Sequence, residues 1–423
     1  MYTVFRSYLS KKLSGDELLS SVDFRRYWLS AMLSNFGSLV GGLALPLCGA
    51  LVLHATPAQM GILTACQAIP FAFFALPAGV WLDRRRKVPI LLGSKVAQAI
   101  ALAVIPVAYW CGVLSMPWLY AVAATLGTCS VVGGGAEQIF LNMLVGRDRM
   151  VEAQSRFAAT DSILRLFTPG IAGLLIQWLT APVAIMVNSM GFVASVWKLR
   201  RVHVDEPEPR PSDKHPLHDI AQGFAFIWKH PLLRALAFGA GSWHLLYYGY
   251  TALLVLFATR ELGMSAGQIG TAHMVGGLGV FVSSMVLRPL NRRYGEGIPI
   301  LVGTAATVFG FVLMPLIPAS LFGSTDASKI AFACLIFTHD CGVMLFFIPY
   351  QALRQKVTPD HMMGRMISTM RFLTVAIAPL GALCAGYVAD HFSIRTSMAC
   401  VAVGGLALLL YMLASRPIRS VRP

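Results

Sequence analysis

The sequence predicts an all-α membrane protein of twelve transmembrane helices in two six-helix bundles. Three observations carry that reading. Hydrophobic residues make up 56% of the 423 positions and charged residues only 13%, roughly half the charged share of a soluble domain. The apolar residues come in runs longer than a core helix needs, and about 20 of them cross a hydrocarbon layer roughly 30 Å thick. The basic residues fall between the runs and favour one side.

In chain order, the spans are expected near 28–53, 58–81, 89–114, 117–144, 157–178 and 181–199, then 233–258, 267–287, 298–323, 328–351, 367–389 and 394–415. The first 23 residues are polar and carry Lys11 and Lys12. The run after them is too long for a signal-peptide core and shows no cleavage site, so it reads as an uncleaved first span. Between the two sets lies the Pro-rich stretch from Arg201 to Pro216. Proline removes backbone donors and favours extended chain, so this is an exposed linker. Leu217 to His230 then reads as an amphipathic helix at the membrane surface. The domains are therefore an N-terminal bundle over 1–200, a linker over 201–231 and a C-terminal bundle over 232–423.

Charge tests that layout. With both termini in the cytoplasm, 28 of the Lys and Arg residues fall on the cytoplasmic side, and only Arg260, Lys329 and Arg395 fall opposite. A missed span would mix the two sides, so the bias supports twelve crossings of a cell inner membrane with both termini inside. The net charge of +15 has the same origin. No basic stripe interleaved with exposed aromatics is present, which argues against a nucleic-acid partner. The eight cysteines all lie in or beside apolar runs without metal-ligand spacing; they read as small buried hydrophobes, with no metal site expected.

A weak internal repeat relates the halves. Val145-Gly-Arg-Asp-Arg-Met-Val-Glu-Ala leads into a span with Pro169-Gly-Ile-Ala-Gly, and Val357-Thr-Pro-Asp-His-Met-Met-Gly-Arg leads into one with Pro379-Leu-Gly-Ala. The offset is about 210 residues, as expected of parallel repeats with a solute pathway between them.

At Gly79-Val-Trp-Leu-Asp83-Arg84-Arg85-Arg86-Lys87 the chain resembles the signature loop of the major facilitator superfamily. Gly79, Asp83, Arg84 and Lys87 match its pattern, and Arg86 stands where a second glycine is usual. The second-half counterpart, from Arg288 through Asn291, Arg292 and Arg293 to Gly295, is degenerate. More narrowly, the chain is similar to the efflux branch that includes macrolide exporters and the enterobactin exporter. That likeness rests on Phe24-Arg25-Arg26-Tyr27-Trp28, Ser34-Asn35-Phe36-Gly37 and Pro57-Ala58-Gln59-Met60-Gly61. Many relatives carry an acidic residue where this chain has Ser38, so a carboxylate that could serve proton coupling or substrate binding is missing. The resemblance implies that Asp83, supported by Arg84, latches the bundles in one state. A carboxylate there also meets the positive end of a helix dipole. Arg85, Arg86 and Lys87 could instead simply anchor the loop to anionic lipid.

A charge within a span costs about 3 kcal/mol on insertion scales, so such groups should face the interior, pair and mark the pathway. The candidates are Glu137, Asp161, Arg165, His244, His339, Asp340 and Arg371, with Asn35 added from the span 1 motif. Asp161 and Arg165 share one helix face and could pair. Each of Asp161 and Arg371 lies eight residues before its proline, so the two could pair across the bundles. His339 or Asp340 could carry a proton as access alternates, or could make a local helix–helix hydrogen bond. Glu137, beside Gly133-Gly-Gly135, could equally mark close packing. His244 sits among Trp243, Tyr247, Tyr248 and Tyr250, which could stack on a flat solute or belt a membrane interface. His273 and Lys95 read as structural, Lys95 as a snorkelling cation.

The function expected is secondary active transport: proton-coupled efflux of a small amphipathic compound, such as a drug or siderophore, by a monomer without cofactor. The alternatives are an importer of a small polar metabolite and a lysophospholipid-type lipid facilitator. No Walker motif, His-Glu-x-x-His or nucleophile elbow is present, so the residues give no ground for an ATPase or an intramembrane enzyme.

Overall fold

The computed structural model describes residues 17–83, 85–146, 148–204, 206, 216–359 and 362–421. Serine begins many of its helices. Span 1, Val22–Leu47, opens on Ser21, whose hydroxyl accepts from the Phe24 N–H at 3.3 Å. Span 10, Thr325–Lys356, and span 12, Ile394–Ala414, open on Ser324 and Ser393 in the same way. Each cap satisfies one backbone donor that the first helical turn would leave bare.

The other spans of the first half are Pro57–Asp83, Lys87–Trp110, Met116–Val145, Met150–Leu179 and Ala181–Leu199. A linker helix, Pro216–Lys229, precedes span 7, Pro231–Leu256; spans 8 and 9 are Ala266–Tyr294 and Gly297–Leu313. Among the described residues, eleven segments are long and apolar enough to cross a membrane. Span 7 is the twelfth long helix, at 26 residues. Ser242, Trp243, His244, Tyr247 and Tyr248 interrupt its apolar run, which keeps it out of those eleven.

Several boundaries differ from expectation: span 5 begins at Met150 rather than 157, span 8 runs to Tyr294 rather than 287, span 9 ends at Leu313 rather than 323, and two further differences bear on the interior. Span 10 runs past 351 to Lys356, carrying Arg354 inside the fold rather than into a loop. Span 11 is not continuous: Met363–Val375 and Ala378–His391 are separated by a turn at Ala376 and Ile377. Pro379 has no N–H to return to the Val375 carbonyl, so the ladder fails there.

The internal repeat reaches further than the sequence revealed. Span 1 ends in a π-helical turn, Cys48–Val52, and span 7 in another, Phe257–Glu261. The Ala55 N–H bonds the Gly49 carbonyl at 2.9 Å, and the Met264 N–H bonds Ala258 at the same distance. Thr56 with Gln59, and Ser265 with Gln268, then make reciprocal caps on spans 2 and 8.

Spans 1–6 pack together, spans 7–12 pack together, and two seams join them: span 5 against span 8, and span 2 against span 11. Lipid tails are as apolar as leucine, so helices in a bilayer gain by close approach of small residues. A Cβ on Gly173 would stand 2.6 Å from the Ala266 carbonyl oxygen; one on Gly61 would stand 2.6 Å from that of Ala382. Both glycines lie at the end of the molecule opposite the chain termini, here called the far end. Two polar contacts cross there as well. The Gln177 side-chain oxygen accepts from the Gly267 N–H at 3.0 Å and the Ser265 hydroxyl at 3.1 Å, and Arg260 donates to the Ala55 carbonyl at 2.7 Å. At the far end one apolar core runs through both bundles, whereas toward the termini each bundle has its own. The halves are thus drawn together at one end and parted at the other.

Candidate functional site

Three cavities lie along the interior, and together they take in seven of the eight sequence-predicted pathway residues. The middle one, about 340 Å³, lies between the bundles; its walls include Ser38, Arg165, Tyr247, Tyr250, His273, His339 and Asp340. Asp340 of span 10 sits against Gly276 of span 8, where any larger residue would collide with its carboxylate. Arg165 comes from the other bundle and bonds Asp161 through Nε at 2.7 Å, so the expected i, i+4 pair forms. Arg165 lines the cavity with 48% of its side chain accessible, and 35% of the Asp161 side chain is accessible.

His339 is almost fully buried and lies between aromatic rings. Tyr247 is stacked on it at 5.8 Å between centroids and Tyr250 at 5.1 Å, with Phe311 at 5.3 Å. Neither ring nitrogen has a hydrogen-bond partner, and neither has the Tyr250 hydroxyl. Buried polar groups are nearly always satisfied in native folds, so a cluster of bare ones on a cavity wall points to a ligand or water. Tyr250 and Trp243 are 1% and 2% exposed, which removes the alternative that these aromatics form an interface belt.

The second cavity, about 160 Å³, lies inside the first bundle between spans 1, 3, 4 and 6. It is lined by Asn35, Lys95 and Glu137 and shares Ser38 with the middle cavity. Lys95 does not snorkel. Its ammonium is buried, donates to the Ser34 hydroxyl at 2.9 Å and faces the Glu137 carboxylate at 3.8 Å. The sequence reading missed this pair because it crosses between spans 3 and 4, and hydropathy carries no cross-helix information.

The third cavity, about 630 Å³, joins span 4 to spans 7, 10 and 11 toward the end that carries the termini. Gln138, His244, Tyr350, Gln351, Arg354 and Arg371 are on its walls. His244 Nδ1 is 2.7 Å from the Ala240 carbonyl, an arrangement in which Nδ1–H donates. Arg371 lies over the Phe71 ring at 4.9 Å. It does not pair with Asp161, whose carboxylate is held by Arg165. Arg354 was counted with the loop charges in sequence; its burial follows from the extra turns of span 10. The freed backbone at Val375 also lines this cavity, where water can satisfy it.

Of the latch loop, span 2 ends at Asp83, but the surroundings of Gly79, the side chain of Asp83 and Arg84 altogether lie outside the described residues. Lys87 begins span 3. Its backbone N–H and that of Val88 are bonded by the Glu206 carboxylate of the linker, the latter at 3.3 Å. Among the described residues, the anion at that helix N-terminus is therefore Glu206, where the helix dipole favours it. No group of three or more metal-ligating side chains occurs among the described residues.

Comparison with known proteins agrees with this architecture. The sequence model of the Major Facilitator Superfamily matches residues 27–382. The multidrug efflux pump Tap of Mycolicibacterium fortuitum is 27% identical over 83% of this chain and 84% of its own. The enterobactin exporter EntS of Shigella flexneri is 23% identical over 95% of this chain and 94% of its own. Among solved structures, a mutant form of the nucleoside transporter NupG superposes with a TM-score of 0.74 at 13% identity, covering 94% of this chain and all of that one. That last likeness is one of fold.

Proposed function

The chain belongs to the Major Facilitator Superfamily, and on that premise we propose that it exports a small amphipathic compound by proton-coupled alternating access. The observation that carries the proposal is the middle cavity: a carboxylate, Asp340, and an arginine, Arg165, from opposite bundles on one wall system with the bare nitrogens of His339. A carboxylate that loses a proton gains attraction for the guanidinium across the gap. Protonation there would therefore weaken the hold of one bundle on the other and couple proton movement to rocking. The resemblance to an efflux pump and a siderophore exporter supports the outward direction.

The conformation fits the first stage of that cycle. If the basic-rich end is cytoplasmic, as its charge bias argues, the closed glycine seams face outward. The 630 Å³ cavity and the parted halves then face the cytoplasm. Solute would enter there, move to the aromatic middle cavity, and leave once the Gln177 and Arg260 contacts at the far end break. Asp83 and Arg84 would latch the opposite state.

The test is transport in inside-out membrane vesicles, with dyes, macrolides and siderophores added to vesicles holding a proton gradient. The parent should collapse the gradient on addition of a substrate, and Asp340→Asn should lose at least about tenfold of that rate, as expected for removal of an essential proton carrier. A parent no better than empty vesicles, with solute moving regardless of the gradient, would overturn coupled export. Uptake or lipid movement would then take its place.

A further inference from the structure

The 630 Å³ cavity toward the termini has an electrostatic imbalance that points to the charge of the solute. Two guanidinium groups, Arg354 and Arg371, line it together with His244, Gln138, Gln351, Gln355, Tyr350 and Thr374, and no acidic residue does. Among the described residues, no carboxylate bonds either arginine. Arg354 is 9% exposed; its Nη1 lies 3.4 Å from the Tyr350 hydroxyl, its plane faces that ring at 5.0 Å, and its Nε has no partner. Arg371 is exposed to the cavity and lies over the Phe71 ring at 4.9 Å. The interior acids lie elsewhere: Glu137 faces Lys95 in the adjoining pocket, Asp161 bonds Arg165, and Asp340 is on the wall of the middle cavity.

Burying the uncompensated Arg354 is costly, and Arg371 beside it, open to the cavity, adds repulsion. Folds accept that arrangement where a ligand supplies the missing charge, and arginine is the side chain whose planar fork takes carboxylate or phosphate oxygens in pairs. We propose that this cavity is the loading site for an anionic solute, in which Arg354 and Arg371 bind a carboxylate or phosphate group. The apolar or aromatic body of the solute then rests on Tyr350, Phe347 and His244. This rests on the export reading and deepens it: the exported compound is an anionic amphiphile, not a lipophilic cation. The glutamines and Thr374 supply further donors around the anion. The volume is within the range of pockets that enclose small-molecule ligands.

The experiment uses the full chain in phosphatidylcholine proteoliposomes and a matched set of probes. Pyrenebutyrate, its methyl ester and pyrenebutyl-trimethylammonium share one apolar body and differ in charge. The parent should bind the anion about tenfold or more tighter than the cation, as a pair of desolvated charge-assisted contacts requires. Arg354→Gln and Arg371→Gln should each lose about tenfold for the anion, with methyl-ester binding kept within about threefold as the sign of an intact fold. Arg371→Lys should fall between, retaining charge without the fork. Lysophosphatidate added to the vesicles separates the sources of the anion. Arginine-dependent displacement of pyrenebutyrate by it extends the site to lipid head groups, and no displacement confines it to soluble amphiphiles. Equal or preferential binding of the cation by the parent overturns the proposal, as does undiminished anion binding in both Gln variants. Export of a dye on the proton gradient, with no anion preference, would leave the export reading standing and sink only this one. Arginine-dependent anion binding without gradient-driven export would do the reverse.

Discussion

The two bundles are built on one repeat, yet their interiors solve opposite problems. In the first, most polar groups find each other, the buried Asn188 Oδ1 being an exception. Lys95 meets Glu137 and Ser34, Asp161 meets Arg165, the Ser30 and Ser195 hydroxyls are 2.7 Å apart, and the Tyr27 hydroxyl reaches the Glu137 carbonyl at 3.4 Å. In the second, aromatic rings surround groups left bare: both nitrogens of His339, the Tyr250 hydroxyl, Trp243 Nε1 and Arg354 Nε. A polar interior that is already satisfied holds a bundle rigid, whereas an unsatisfied one is poised for something that arrives. On the export reading, the first half is the largely satisfied frame and the bare groups of the second meet the solute.

The largest effect should come from breaking the charge pair of the first half. Removing one partner of a buried pair leaves the other charge uncompensated and can cost about 3–5 kcal/mol. Lys95 is the buried member, with 7% of its side chain exposed, while 38% of Glu137 is open to the cavity. Solvent at Glu137 screens the pair, so Glu137→Gln should cost about 2 kcal/mol in thermal denaturation of the detergent-solubilised protein. Adding Lys95→Met should restore most of the loss. Should the double variant be as unstable as the single one, the pair is not what organises that interior.

The second prediction reverses the sign. His339 makes no hydrogen bond of good geometry, the Thr307 backbone being its nearest polar neighbour, so exchanging it for phenylalanine removes two desolvated nitrogens and keeps the stacking with Tyr247 and Tyr250. His339→Phe should leave the empty protein unchanged or stabilise it by about 1 kcal/mol. Solute affinity in the same preparation should drop about tenfold, as expected when a ligand loses a buried hydrogen-bond partner. A destabilised His339→Phe protein that binds solute normally would mean that the ring nitrogens serve the fold, and the contrast between the halves would fail.

How far these interiors were legible in the sequence follows the same division. The spans and the two-bundle plan could be read because they are one-dimensional, runs of apolar residues bounded by polar ones; most of the Pro-rich linker lies outside the described residues. Asp161 with Arg165 could be read because four residues make one helical turn. Lys95 with Glu137 could not, since their meeting depends on how spans 3 and 4 are rotated. Arg354 was hidden by a boundary error of little more than one turn in span 10, which is enough to move a cation from a loop into a cavity. His273 was set aside as structural, though it lines the middle cavity; a lone histidine in an apolar run looks the same in either role. The break in span 11 could have been anticipated at Pro379. What that proline does for the cavity, opening the Val375 carbonyl onto its wall, needed the neighbouring helices.

The smallest expected effect makes the sharpest comparison, because the same chemical change is made once in each half. Tyr27 and Tyr250 are both 1% exposed. Their hydroxyls differ in one respect: that of Tyr27 donates to the Glu137 carbonyl at 3.4 Å, and that of Tyr250 has no partner. Removing a bonded hydroxyl forfeits the bond, whereas removing a bare one relieves a desolvation cost. Tyr27→Phe should therefore lower stability by about 0.5–1 kcal/mol, and Tyr250→Phe should raise it by a similar amount in solute-free detergent. The ordering should then change on adding a saturating substrate. The parent gains stability from binding through its Tyr250 hydroxyl, which Tyr250→Phe cannot match, while Tyr27→Phe gains as much as the parent. Thermal melts of three proteins, with and without substrate, read the whole contrast. Equal shifts for the two variants in both conditions would show that the bare hydroxyl is an ordinary packing feature, and that the second bundle is no more a solute site than the first.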